Sequence, residues 1–200
     1  PLAQDGYRVH AVEPAAGMRA LLEQKARAAG AVLSVEDASA ATFTRASGFH
    51  VAIFAFNGVM HLRTRAALVE AFAHIRDALV DEGRFALDST GPYWSSMLYG
   101  PMAWGRTDER IHKDTGKKIL TCDRSSFDDA TREMRIDIRY LEEDAAVGVE
   151  IALHQTLWTW QQLLGALDDA GFAVELLFGD VNLSPFHEGS PRMLVSTRKR

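Results

Sequence analysis

The residue best placed to do chemistry is Glu13, which ends a short apolar run. Residues 7–13, YRVHAVE, predict a strand, and residues 14–30 predict a helix with proline at its start and glycine at its end. A strand that ends in an acid and runs directly into a helix is half of a nucleotide-binding βαβ unit. The carboxylate at such a strand end can accept hydrogen bonds from both hydroxyls of a ribose. The front of the chain therefore predicts a site for a nucleoside-containing cofactor.

Other polar side chains follow later strands. His61 comes after the strand predicted at 50–56, where a general base for an acceptor could stand, and a structural histidine is the alternative. Asp88 ends a further strand, and Glu150 and His154 share one face of a predicted strand. Each of these side chains is a candidate to act on a substrate, and His61 is the predicted catalytic residue.

Aromatic and methionine side chains crowd into residues 91–105, GPYWSSMLYGPMAWG. A small satellite core is one interpretation, and a lid that shapes an apolar acceptor pocket is the other. Both can hold at once. The side chains predicted to bind the acceptor are Tyr93, Trp94, Met97 and Trp104.

The composition limits the classes of partner. The chain has 200 residues, 47% of them hydrophobic, which suits one domain with its own core. A net charge of −5 argues against nucleic acid or an anionic membrane surface, since both reward clustered lysine and arginine. No apolar run approaches the roughly 18 residues that a membrane span needs. Cys122 is the only cysteine and no HExxH spacing is present, so we expect no metal site and a cytoplasmic location.

Strand and helix alternate in the first half of the chain. Strands are predicted at 31–37 and 50–56, and the second is apolar enough to be covered on both faces. Residues 64–80 predict an amphipathic helix, residues 81–83 a turn and residues 84–90 another strand. This order favours an α/β fold in which helices cover both faces of a parallel sheet.

An antiparallel β-meander is predicted after the aromatic cluster. Turns at 114–117 and 128–133 separate three strands, and residues 148–158 alternate in the same way. We expect the meander to lie over one edge or face of the main sheet. Residues 1–200 then form a single domain, in which residues 91–158 are a lid loop plus the meander.

A helix and two strands close the chain. Thr159 begins the helix, because Gln162 three residues later completes a capping box. Residues 173–179 and 192–199 predict strands, and the 12-residue loop between them is too short for a helical crossover. These two strands should therefore pair antiparallel.

Four local patterns, taken in order, carry a resemblance to a known family. They are VHAVEPAAGM (9–18), VEDASAATF (35–43), FHVAIFAFNGVMHL (49–62) and ALVDEGRFALDSTGP (78–92). Together with the closing helix and strands, they resemble class I S-adenosylmethionine-dependent methyltransferases, of the small bacterial type with a β-meander after the fifth strand. The resemblance spans the whole chain. It implies a Rossmann-like sheet with an antiparallel terminal hairpin, and S-adenosylmethionine as the cofactor.

The resemblance implies cofactor-binding roles for residues after the first two strands. Glu13, with Pro14 beside it, matches the acid that binds the ribose, and Met18 matches the apolar residue near the adenine. Asp37 matches the acid that contacts the adenine amino group, and Ala38 offers its backbone N–H to the ring.

Ala55, Phe56 and Asn57 match the family segment that meets the methionine end of the cofactor. A helix cap is the alternative role for Asn57. Such sites lie at the carboxyl ends of parallel strands, where all of these residues fall.

The family's glycine-rich loop has no counterpart in these residues, nor do the first strand and helix around it. In this fold that strand lies between the strands predicted at 7–13 and 50–56. Without it, both have unpaired edges, which cost several kcal/mol when buried. We therefore expect roughly 40–60 further residues upstream, from the usual size of a strand, a helix and a lead-in segment. A truncated gene or a disordered segment is the alternative.

The function that the resemblance implies is methyl transfer from S-adenosylmethionine to an N or O atom. The aromatic cluster favours a small-molecule acceptor. Two alternatives stay open. Glu13 suits the ribose of NAD equally well, which allows an NAD-dependent oxidoreductase. A degenerate, non-catalytic module for binding or dimerisation is the other alternative. A second copy of the chain, forming a homodimer, is a further expected partner.

Overall fold

The computed structural model of the protein describes residues 1–45, 48–93, 103–113, 115–142 and 148–200. The α/β class predicted from the sequence is confirmed, with both parallel and antiparallel strand pairs. None of the helices in these ranges is long and apolar enough to cross a membrane.

The first sheet is a parallel pair of short strands. Strand β1 (Val9–Val12) leads through helix α1 (Ala16–Ala28) to strand β2 (Leu33–Glu36). The two strands pair in parallel from Val9 and Leu33 to Val12 and Glu36. No residue of α1 is buried, so the helix adds little packing to this half of the molecule.

The second sheet mixes parallel and antiparallel pairs. Its strands are β3 (Phe49–Phe54), β4 (Leu79–Thr90), β9 (Phe172–Phe178) and β10 (Arg192–Lys199). They lie in the order β3–β4–β10–β9, with β3 parallel to β4. β10 runs antiparallel to both of its neighbours, so the final strand lies inside the sheet.

Two amphipathic helices pack on one face of this second sheet. They are α2 (Arg65–Ala78) and α3 (Trp160–Asp169). Their apolar side chains share one core with the inward residues of β4 and β10. The helical spacing predicted for α2 is confirmed, and the capping box that begins α3 at Thr159 and Gln162 is confirmed as well.

The opposite face of β3 is open, which corrects the prediction of a strand covered on both faces. Val51 and Ile53 are 56% and 59% exposed, whereas Ala52 and Phe54 pack against the core. Ile53 pairs with Ala86 and starts a cross-strand row that ends at exposed Leu176. The reason is that α2 and α3, the described helices with buried residues, both lie on the other face.

The turn predicted at 81–83 is also wrong, because β4 passes through these residues without a break. Glu82 has a φ of 61°, and the pairing with β3 jumps from Phe49 opposite Leu79 to Val51 opposite Arg84. The turn-forming residues therefore make a bulge inside one strand. Gly83 allows the close approach there, since an added Cβ would lie 2.8 Å from a backbone carbonyl oxygen.

The predicted antiparallel meander is present as a third sheet. Its strands are β5 (Gly105–Ile111), β6 (Lys118–Asp128), β7 (Glu133–Glu142) and β8 (Val149–Thr156). They pair in sequence order, each antiparallel to the next. Met134, Phe127 and Ile136 pack against the main core, so one end of the meander is anchored on the domain.

Candidate functional site

Two acids stand side by side after the parallel strands β1 and β2. Glu13 follows Val12, Asp37 follows Glu36, and Val12 and Glu36 are cross-strand partners. The N–H of Glu13 donates to the Glu36 carbonyl at 3.1 Å, which extends the ladder by one residue. Glu13 Oε1 accepts a hydrogen bond from Ala15 N at 2.8 Å, in front of α1. Both acids therefore lie at the carboxyl ends of the two paired strands, as the sequence predicts.

Arg19 links the carboxylate of Asp37 to the backbone of Glu13, and it was not among the predicted site residues. Its Nη2 donates to Asp37 Oδ2 at 2.7 Å. Its Nη1 donates to the carbonyl oxygens of Glu13 and Pro14 at 2.9 and 2.8 Å. The Arg19 side chain is 19% exposed, whereas that of Asp37 is 70% exposed. Its place next to Met18, in the first turn after the acid, is the signal that could have identified it.

The segment after β3 has an unusual backbone. Phe56 and Asn57 have φ angles of 65° and 59°, in the left-handed region that residues other than glycine adopt rarely. Asp88 on β4 accepts from Phe56 N at 2.5 Å and from Asn57 N at 3.4 Å. Arg192 on β10 donates to Asp88 Oδ2 at 3.2 Å. One carboxylate therefore holds this turn and links it to β10.

The remaining cofactor residues of the prediction are accessible. Phe56 is 94% exposed and Met18 is 56% exposed, and Pro14 and Ala55 are exposed as well. Ala38 is half-buried. Asn57 takes the N-cap position of the 3₁₀ helix Gly58–His61, but its side chain makes no capping hydrogen bond, and its Oδ1 accepts from Thr90 Oγ1 at 3.4 Å. Within the described residues, no hydrogen bond joins the Glu13–Asp37 pair to the turn at Phe56.

His61 lies at the end of a 3₁₀ helix, Gly58–His61, that follows this turn. Its ring is exposed, and Nε2 lies 3.3 Å from the amide nitrogen of Gln155 on β8. The geometry lets His61 accept a hydrogen bond from the meander. Its predicted role as a base stays a prediction.

The meander histidine and the acids beside it are engaged with each other. His154 Nδ1 lies 2.8 Å from Glu133 Oε1, and Arg63 pairs with the same carboxylate at 2.9 Å. The hydrogen bond from His154, followed by the charge and hydrogen bond of Arg63, lowers the pKa of Glu133 below its ordinary value. Glu150 pairs with Arg139 at 2.8 Å. These contacts stabilise the meander, and both Glu133 and Glu150 are already paired with basic side chains.

Of the predicted acceptor residues, Trp94 and Met97 lie outside the described residues. Tyr93 is 42% exposed, and its backbone N–H donates to the Ser190 carbonyl at 3.3 Å. Trp104 lies on the meander, with the Arg139 and Arg124 guanidinium carbons 3.8 and 4.8 Å from its ring centroid. The structure therefore places Trp104 against meander arginines.

A pocket of about 280 Å³ opens where β4 ends, at the start of the segment 91–105 that was predicted to shape an acceptor pocket. Its walls come from Gly91 and Pro92, the start of α3, the loop before β10 and the turn between β6 and β7. Its lining includes Thr90, Arg132, Trp158, Trp160, Gln161 and Glu188. Two tryptophans on either side of the capping Thr159 are the signal that could have pointed to it. Groups of His, Cys, Asp and Glu able to hold a metal ion are not found in the described part of the chain.

Comparison with known proteins gives structural matches only. No protein-family model and no curated protein matches the sequence. The CcbJ methyltransferase of Streptomyces caelestis has a TM-score of 0.84 at 20% identity, over 100% of this chain and 83% of that one.

Two further solved structures agree with this match. An S-adenosylmethionine-dependent methyltransferase of Clostridium acetobutylicum has a TM-score of 0.81 at 12% identity, over 99% of this chain and 77% of that one. An amino pentose methyltransferase of Micromonospora echinaspora has a TM-score of 0.68 at 22% identity, over 96% of this chain and 74% of that one. The chain therefore has the class I fold of the S-adenosylmethionine-dependent methyltransferases.

Proposed function

We propose that the protein transfers a methyl group from S-adenosylmethionine to an N or O atom of a small-molecule acceptor. The proposal rests on one observation. Glu13 and Asp37 lie together at the carboxyl ends of two parallel strands in a methyltransferase fold. Carboxylates at the carboxyl ends of parallel strands can accept hydrogen bonds from ribose hydroxyls and from an adenine amino group. The adenosine half of the cofactor thus fits the residues present.

The chain's own residues have binding and positioning roles in this proposal. Glu13 keeps Oε1 on Ala15 N, which leaves its second oxygen for a ribose hydroxyl. Arg19 holds the Asp37 carboxylate at the same strand ends through its hydrogen bond. When bound, S-adenosylmethionine supplies a methyl group already activated on a positively charged sulfur. The protein's contribution is then mainly alignment of the acceptor and exclusion of water.

The strand directions favour this function over the oxidoreductase alternative. A clear parallel strand at the end of the sheet would favour an NAD-dependent enzyme, and β10 is antiparallel to both neighbours. One of the matched structures is an amino pentose methyltransferase. By analogy, we propose an amine-bearing sugar as the acceptor class.

The first test is a calorimetric titration of S-adenosylhomocysteine into the purified protein. We expect micromolar binding that weakens about 10- to 100-fold in Glu13→Ala, since a hydrogen bond to a charged group contributes about 1.5–3 kcal/mol. Glu23→Ala is the matched control, because Glu23 is an exposed acid of α1 whose ion-pair partner, at 3.8 Å, is Arg27.

Two outcomes would contradict the proposal. A folded protein that binds NADH and no S-adenosylhomocysteine would favour the oxidoreductase. A folded protein that binds neither would favour the non-catalytic module.

We also propose that a further parallel strand lies between β1 and β3 in the active protein. β1 bonds only to β2 and β3 only to β4 within the described residues, so each has one edge without a partner strand. His10 of β1 and Phe49 of β3 stack with ring centroids 5.8 Å apart, so the side chains of these two strands meet. The exposed Val51 and Ile53 beside this edge are apolar surface that such a strand and its helix could cover.

Hydrogen exchange on these 200 residues, alone and in a chain extended by any upstream residues of the gene, tests this proposal. Backbone amides at the facing edges of β1 and β3 should exchange rapidly in the 200-residue chain, because they lack hydrogen-bond partners. They should become at least about 100-fold slower in a chain that contains the proposed strand. Slow exchange of both edges in the 200-residue chain alone would show that the strands already have partners and would exclude the proposal.

A further inference from the structure

On the basis of the function proposed above, we propose that the pocket at the end of β4 holds the amine-bearing ring of the methyl acceptor, with Trp160 and Glu188 as the recognition pair. Neither residue was predicted to bind the acceptor, although Gly91 and Pro92, the first two residues of the aromatic segment at 91–105, also line the pocket.

The walls of the pocket are fixed before any ligand binds. Trp158 is 8% exposed, and its Nε1 donates to the carbonyl oxygens of Val59 and Leu62 at 3.2 and 3.1 Å. Arg132 donates through Nε to the Leu157 carbonyl at 3.1 Å, beside the same tryptophan. A site whose side chains are already held in place loses less conformational freedom on binding, which favours affinity.

The recognition pair combines an aromatic ring with a negative charge. Trp160 is half-buried and meets Phe186 edge-on, with ring centroids 6.2 Å apart. Glu188 is exposed and forms no ion pair with any residue that the structure describes. Arg132, the basic residue of the lining, already pairs with Asp129 at 2.8 Å. A tryptophan ring and a carboxylate without an ion pair, lining the same pocket, suit a protonated amine.

The volume suits a single ring. Drug-sized ligands occupy pockets of about 300–1,000 Å³, and this pocket has about 280 Å³. Gln161 and Thr159 supply amide and hydroxyl groups at the rim, which suit the hydroxyls of a sugar. An amino sugar therefore satisfies the size, the charge and the polar groups together.

The pocket adjoins the segment assigned to the methionine end of the cofactor. Thr90 lines the pocket, and its Oγ1 donates to Asn57 Oδ1 at 3.4 Å and lies 3.4 Å from Met60 Sδ. A ring bound here is thus next to the turn at Phe56 and Asn57. This proximity is what an acceptor site requires, because the reacting atoms must be held together.

Saturation-transfer NMR with D-glucosamine, D-glucose and N-acetylglucosamine tests the assignment, with S-adenosylhomocysteine binding measured in parallel. We expect glucosamine to bind about tenfold more tightly than the two uncharged sugars. Glu188→Gln should remove this preference and leave S-adenosylhomocysteine affinity unchanged. Glu70→Gln, at an exposed acid of α2, is the control and should keep the preference.

Trp160→Leu should weaken binding of all three sugars, since it removes the ring on which they stack. Equal affinities for charged and uncharged sugars in the unmodified protein, or an unaltered preference in Glu188→Gln, would overturn the assignment. If S-adenosylhomocysteine binds while the sugars fail, the pocket assignment alone is lost. If S-adenosylhomocysteine fails to bind, the proposed function is lost as well.

Discussion

An Asp88→Ala variant is expected to lose about 100-fold in kcat/KM for methyl transfer, because a displacement of about 1 Å in a positioned group has effects of this order. The Asp88 carboxylate accepts both N–H groups of the turn at Phe56 and Asn57. Each of these residues holds a left-handed backbone, which costs about 1–3 kcal/mol and persists only when the surroundings enforce it. Without Asp88 the turn should relax, and the segment assigned to the cofactor should move with it.

Three variants separate a positioning role from a general loss of stability. Asp88→Asn keeps one side-chain carbonyl for Phe56 N and should recover part of the activity. Arg192→Gln leaves the turn's acceptor in place and should be milder than Asp88→Ala. Asp81→Ala is the control, since Asp81 lies on the same strand with its side chain fully exposed.

The measurements are KM for S-adenosylmethionine, kcat, S-adenosylhomocysteine affinity and the free energy of unfolding. We expect the cofactor KM to rise and the affinity to fall in Asp88→Ala. If its unfolding free energy falls while cofactor affinity stays at the level of the unmodified protein, Asp88 is structural only.

Trp158 should be among the side chains that contribute most to the stability of the fold. Its ring is buried where β8 meets α3, and its Nε1 bonds two carbonyls around the 3₁₀ helix. Trp158→Ala should lower the free energy of unfolding by about 3–5 kcal/mol, the range for truncating a buried aromatic residue. Trp158→Phe keeps most of the packing and leaves the Val59 carbonyl with the Leu62 N–H, but it removes the indole donor from the Leu62 carbonyl, so a loss of about 1–3 kcal/mol is expected.

Urea denaturation of matched variants checks this expectation. Trp104→Phe is the control, since Trp104 lies over arginines of the meander, and such contacts contribute about 0.5–1 kcal/mol at exposed sites. A Trp158→Phe variant no less stable than Trp104→Phe would mean that its two hydrogen bonds do not support the 3₁₀ helix.

Local patterns in the sequence predicted much of the frame of the candidate site. Glu13 and Asp37 each come at the end of a predicted strand, and parallel pairing brings the ends of the two strands together. Helix α2 followed from the spacing of Leu68, Phe72 and Ile75, all of which are buried. The strands and the helix needed only periodicity and order along the chain, whereas the cofactor role of Asp37 came from the family resemblance.

The contacts that complete the site depend on residues far apart in sequence. Asp88 is 31 or 32 residues from the N–H groups that it accepts, and 104 residues from Arg192. No local sequence pattern predicts that these residues come into contact. The bulge at Glu82 was predicted as a turn because the same residue types serve both, and only pairing with β3 distinguishes them. Trp104 was assigned to the acceptor from composition alone, which does not reveal that arginines of β6 and β7 lie beneath it.

The position of β10 between β4 and β9 affects how the protein folds during translation. β4 ends at Thr90, and its partner begins at Arg192, about 100 residues later. At about 5–20 residues per second, a ribosome needs roughly 5–20 s to make that interval. Throughout this time one edge of β4 has no partner from β10, and an open strand edge is a template for aggregation. The β4 edge therefore stays unpaired with β10 until the last strand emerges, and that strand also carries Arg192, the ion-pair partner of Asp88.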